Sequence, residues 1–118
     1  MSSDSSALID LNVFTALQES AGADFVIELV DTFLEEGPLM LAELRAAWDA
    51  DDADTFKRTA HSLKSNGQTF GALGFAALAR TLELDGLAAA KARGDVALLT
   101  IERAYGEIAA ELQELVHG

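Results

Sequence analysis

The stretch "TAHSLKSNGQTFGA", residues 59–72, decides how this chain is read. Around it Phe56, Ala60, Leu63, Gly67 and Phe70 recur at steps of four and three. At about 100° per residue these five positions fall on one stripe of a helix. His61, the only histidine away from the C-terminus, lies well round from that stripe. Lys57, Lys64, Ser65 and Gln68 share its face, because positions three, four and seven apart are neighbours on a helix surface. Arg58 lies slightly further round. The spacing predicts a helix from about Ala53 to Phe70, closed near Gly71, with one buried face and one polar face that presents an imidazole to solvent.

That polar face is unusual for this composition. The chain carries 20 Asp and Glu against 8 Lys and Arg, a formal net charge of −12. Lys57, Arg58 and Lys64 therefore gather a large share of a scarce charge around one ring. Upstream, "DADDAD" at residues 49–54 ends one helix and caps the next, since Asp serves helix N-termini well and helix interiors poorly. Downstream, a fourth helix is expected from Ala72 to about Ala92, with Phe75, Leu78 and Leu82 inward. Gly94 and Asp95 mark its end. The last helix has the cleanest period, through Leu98, Ile101, Tyr105, Ile108, Leu112 and Leu115.

Towards the N-terminus, residues from about Asp24 to Trp48 carry Phe25, Leu29, Phe33, Leu41, Leu44 and Trp48 near helical spacing. Phe33 and Trp48 are read as core. Pro38 should kink or briefly break this helix, because its ring clashes with the preceding turn. Asp10 caps a short first helix bearing Leu11, Phe14 and Leu17, and Gly22 closes it. Residues 1–9 read as a flexible tail with neither the basic n-region nor the apolar h-region of a signal peptide.

The totals agree with this segmentation. At 118 residues, 50% of them hydrophobic, the chain can build one core, and a single proline with abundant Ala, Leu and Glu favours helices. Short connections favour antiparallel neighbours. The expected fold is all-α: an antiparallel up-and-down four-helix bundle with a short N-terminal capping helix, one domain over residues 10–117. Cysteine is absent, which removes disulfides and thiolate chemistry. No apolar run reaches the roughly 18–20 residues of a membrane span. The negative charge disfavours nucleic acid and anionic membranes as partners. A cytoplasmic monomer is expected.

The chemistry of the polar face is open to two readings. Lysines beside the ring favour a dianion placed on it, through charge-assisted hydrogen bonds. Ser65 is small and leaves room, and Gln68 offers an amide for orientation. The group suits a histidine that accepts a phosphoryl group and hands it on; it also fits an ordinary solvated helix face. Other constellations carry less. "ELVH", residues 114–117, has the Glu-x-x-His spacing of di-iron bundles, but such sites need two of these pairs and further inward glutamates, so no metal site is expected. "LEEG" and "DADDAD" lack the EF-hand arrangement. No nucleophile elbow or hydrolase triad is present.

The longer stretch "AHSLKSNGQTFGALGFAALARTLE" resembles the signature of histidine-containing phosphotransfer (HPt) domains. The matching positions are His61, Leu63, Lys64, Ser65, Gly71, Ala72, Phe75, Leu78, Leu82 and Glu83. Ser65 stands where the family often has glycine, a small residue for a small residue. The resemblance implies a phosphorelay intermediate without kinase activity of its own. His61 would be the phosphoacceptor at its outward ring nitrogen, with Lys64 steadying the phosphoryl group and Gln68 holding the ring. Lys57, Arg58 and Ser65 would belong to the docking neighbourhood. The implied partners are response-regulator receiver domains and a histidine kinase, which can be hybrid. The receiver would supply the aspartate and Mg²⁺, and the chain itself would need no cofactor. Two alternatives stay open: an interaction-only helical bundle, and the histidine-bearing substrate domain of a chemotaxis-type kinase.

Overall fold

Side-chain caps set the start of two of the helices. In the computed structural model, which describes residues 8–118, the Asp10 carboxylate accepts the Asn12 N–H at 2.9 Å and so opens α1, Leu11–Ala21. Asp52 accepts the Thr55 N–H at 3.1 Å and opens α3, Ala53–Phe70. Each cap satisfies a backbone donor that has no partner inside the helix. Between them α2 spans Ala23–Asp49; α4, Leu73–Ala92, and α5, Val96–His117, complete the chain. Among the described residues there are five helices and no strand. None of these helices is long and apolar enough to cross a membrane.

α3 packs against α2 on one side and α4 on the other; α5 closes against both α2 and α4, and α1 lies over α2 and α3. The stripe expected on α3 is the buried one: Phe56, Ala60, Leu63, Gly67 and Phe70 are all core. Four rings from four helices meet in the middle of the bundle. Phe33 stacks on Phe70 at 5.5 Å between centroids and meets Tyr105 edge-on at 5.5 Å, while Phe75 and Tyr105 lie 6.1 Å apart. The Tyr105 hydroxyl donates to the Phe33 backbone carbonyl at 3.1 Å, which satisfies it inside the core. Burial pushes the Tyr105 phenol above its ordinary pKa. At the far end Trp48 packs on Phe56, as expected of a core residue.

Four expectations change. α2 does not break at Pro38 but runs through it as one helix; the proline is exposed, so its ring is accommodated on the solvent side. Phe25 is 51% exposed, and the core face of α2 begins instead with Val26 and Val30. α4 keeps its ends but not its regularity: Gly86 adopts φ 86°, ψ 172° and divides it, a conformation open to glycine for want of a Cβ. In α5 the final position of the stripe, Leu115, is exposed, and Val116 packs against the core instead.

The tail expected over residues 1–9 lies, for residues 1–7, outside the described residues. Its last member, Ile9, is fully buried. The Asp10 N–H then donates to the Gly71 carbonyl at 2.8 Å, fastening the start of α1 to the α3–α4 turn. Gly71 is fixed from two directions: its φ is 83°, and a Cβ there would stand 2.7 Å from the Asp10 carbonyl oxygen.

Candidate functional site

The site grows from the seam between α3 and α4. These helices are joined only by Gly71 and Ala72, and their contacts show an antiparallel register. Near the turn, a Cβ on Gly67 would lie 3.0 Å from the Phe75 ring and 3.2 Å from the Ala76 methyl carbon. Further from the turn, the same register sets Glu83 of α4 against His61 and Lys64 of α3. Glycine at 67 lets the two backbones approach, and the approach brings a carboxylate under the histidine.

The geometry there is specific. His61 Nδ1 lies 2.7 Å from Glu83 Oε2, and Lys64 Nζ lies 2.8 Å from Glu83 Oε1. The His61 side chain is 57% exposed, whereas Glu83 is 13% and Lys64 19% exposed. The ring therefore stands on a largely enclosed ion pair. The Lys64 contact is one of charge rather than a well-aligned hydrogen bond, since Oε1 is buried without a hydrogen-bond partner of good geometry. The Glu83 carboxyl is held below the usual glutamate range by Lys64 first and by His61 second, against a smaller opposing effect of burial. Glu83 thus remains an anion, and an ionised carboxylate only accepts hydrogen bonds. The shared proton belongs to Nδ1, so in the neutral ring Nε2 carries the lone pair and points away from the seam.

On its other side His61 borders a cleft between α2 and α3, lined by Met40 and Glu43 from α2 and by Arg58, Thr59 and Ser62 from α3. Thr59 is the buried polar residue of this wall, with its hydroxyl 3.5 Å from Glu43 Oε1. Arg58 donates to the Thr55 hydroxyl at 3.2 Å.

The sequence-expected residues are only partly brought together. His61, Lys57, Arg58, Ser65 and Gln68 do share the exposed side of α3, with the half-buried Lys64 at its edge. Lys64, however, is held by Glu83 rather than left free, and Gln68 makes no hydrogen bond to the ring. The ring is held by Glu83, 22 positions along the chain. Sequence reasoning placed Glu83 in the matching stretch without giving it a task. The signal that could have found it is the antiparallel hairpin itself: with a turn at Gly71–Ala72, position 83 lies level with position 61. The other histidine, His117, contacts Asp31 of α2 at 2.8 Å through Nε2.

Comparison with known proteins bears on this arrangement. A family model described as the Hpt domain matches residues 28–118. Among solved structures, histidine-containing phosphotransfer protein B (HptB) from Pseudomonas aeruginosa PAO1 is similar, with a TM-score of 0.84 and 28% identity over 92% of this chain and 94% of that one. No curated protein matches by sequence.

Proposed function

The chain belongs to the Hpt domain family and is a histidine phosphotransfer protein of phosphorelay signalling, and from that premise we propose that His61 is the residue that carries the phosphoryl group. The observation that supports it is the half-exposed imidazole whose Nδ1 is bonded to a largely enclosed carboxylate, with Nε2 left outward as the nucleophile. Hpt proteins of phosphorelays interact with receiver domains and histidine kinases, as carriers rather than as enzymes.

In the proposed step the Nε2 lone pair attacks the phosphorus of a receiver aspartyl phosphate. The P–N bond forms, the P–O bond to the aspartate breaks, and the carboxylate leaves with its electron pair. The ring becomes an N-phosphoimidazolium whose Nδ1–H remains bonded to Glu83, so no proton has to move. Transfer to a second receiver runs the same step backwards. Phosphoryl transfer rests mostly on positioning and charge, and here positioning falls to a rigid helix and one carboxylate. Mg²⁺ and the aspartate come from the receiver; this chain contributes no cofactor and no kinase activity.

Four long helices, α2–α5, make the antiparallel up-and-down bundle, with residues 10–117 as the domain and the buried Ile9 joined to its core. The chain acts as a cytoplasmic monomer. Receivers dock across the α2–α3 side of His61, where Met40, Lys57 and Arg58 line the cleft and Leu39 is 69% exposed, with the exposed Ser65 in the same docking neighbourhood. The test is phosphoryl transfer from a phosphorylated receiver domain to the native protein and to His61→Gln. An acid-labile, alkali-stable label on the native protein that is lost in the variant supports the assignment. An equal label on both would end it.

A further inference from the structure

A phosphoryl group on His61 brings about two negative charges to the ring, and the cations available to meet it are fewer than the sequence suggests. Arg45, Lys64, Lys91 and Arg93 are each paired with a carboxylate. Among the described residues, Lys57, Arg58, Arg80 and Arg103 form no such pair. Lys57 and Arg58 border the α2–α3 cleft, which also holds Glu43. Arg103 lines a groove with Leu78 on the opposite flank of α4. Arg80 is left on the same flank of α4 as Glu83.

Its position follows from helix geometry. Ala76 and Glu83, seven residues apart, fall within about 20° of each other, and both face α3. Arg80 lies between them along the axis, about 4.5 Å from the level of Glu83 and about 60° further towards solvent. In the antiparallel register this is the level of Lys64, on the rim of the seam that carries His61. The residue is exposed, so its side chain is unencumbered.

We propose that Arg80 is the second cation of the phosphoryl site: its guanidinium bonds the oxygens of the phosphoryl group on His61 and supplies the charge that Glu83 holds back from Lys64. This rests on His61 being the acceptor. The planar fork of arginine suits it, because two of its N–H groups can meet two phosphoryl oxygens at once. Phosphorylation would then draw the Arg80 side chain over the seam while leaving the Lys64–Glu83 pair intact.

Phosphoramidate tests this in the full chain without a docked partner. The neutral ring attacks phosphorus, the donor's P–N bond breaks, and ammonia leaves. The second-order labelling rate of Arg80→Gln is expected to fall about 3–10-fold, with Arg80→Lys recovering part of the loss and added salt narrowing the gap. Arg103→Gln, a change of the same charge on another face, is expected to label at the native rate. Native-rate labelling of Arg80→Gln, or an equal slowing in Arg103→Gln, would overturn the proposal. Failure of the acceptor assignment looks different: His61→Gln would then label as the native protein does, and both conclusions would fall together.

Discussion

Two histidines in this molecule contact carboxylates at nearly the same distance, His61 to Glu83 at 2.7 Å and His117 to Asp31 at 2.8 Å. Only one of them has the setting of the proposed site. Asp31 is 50% exposed and meets Nε2 of a residue in the last turn of α5, where water screens the pair and the helix end is open. Glu83 is 13% exposed, is also bound by Lys64, and meets Nδ1 of a residue in the middle of α3. The contact alone is worth little. What distinguishes the two is the enclosure of the acceptor, the ring nitrogen it selects, and the stiffness of the helix beneath the ring.

The sharpest way to break this comparison is to exchange each ring. His61→Gln should abolish phosphoryl labelling, and His117→Gln should leave its rate unchanged; scintillation counting of the two proteins side by side decides it. Next in size is the acceptor. Glu83→Ala frees the ring and removes a hydrogen bond to a charged group, so initial transfer should slow by about 10–100-fold. Glu83→Gln keeps an acceptor oxygen and should recover part of that loss, whereas Asp31→Ala should have no effect on transfer.

A third test acts on the scaffold under the site. Gly67→Ala places a methyl group 3.0 Å from the Phe75 ring, so α3 and α4 must part slightly. Overpacking of this kind costs about 1–3 kcal/mol, offset by up to about 1 kcal/mol of helix propensity. The net result should be a melting temperature several degrees lower, with transfer slowed less than in Glu83→Ala.

Acidity sharpens the comparison further. The folded-state pKa of Glu83 is depressed, so its stabilising contribution is complete above the ordinary glutamate value of 4.5 and is lost as pH falls through the lowered one. The stability difference between the native protein and Glu83→Gln should therefore be full at neutral pH and close only below 4.5, as denaturant titrations across pH would show. The smallest effect expected is that of His117→Ala, within about 0.5 kcal/mol, as for other exposed pairs.

How far the sequence could be read depended on what kind of signal each element carries. α3 was legible to its ends because it has chemical punctuation at both, Asp52 and Gly71, and a stripe without gaps between them. α2 was legible in extent but not in phase. Phe25 fits the helical period, yet its exposure shows that the core is reached through Val26 and Val30, one position on. Pro38 reads in the sequence as a kink or a brief break; the break does not occur, and the ring lies on the exposed side of α2, a side set by how the helix packs. Gly86 divides α4 without any break in the local apolar pattern to announce it.

For the site, local spacing was enough to identify the exposed imidazole and the residues sharing its face, because neighbours on one helix are fixed by the helix repeat. By itself, then, the sequence determined an all-helical chain, the buried stripe of α3 and His61 on its polar side. The tertiary structure decided which atom of His61 is free. It did so through Glu83, brought from a second helix by a glycine-permitted close approach, and through the same contact it took up the charge of Lys64. Pairings within a helix follow from a repeat of about 3.6 residues, while pairings between helices follow from how closely two surfaces pack.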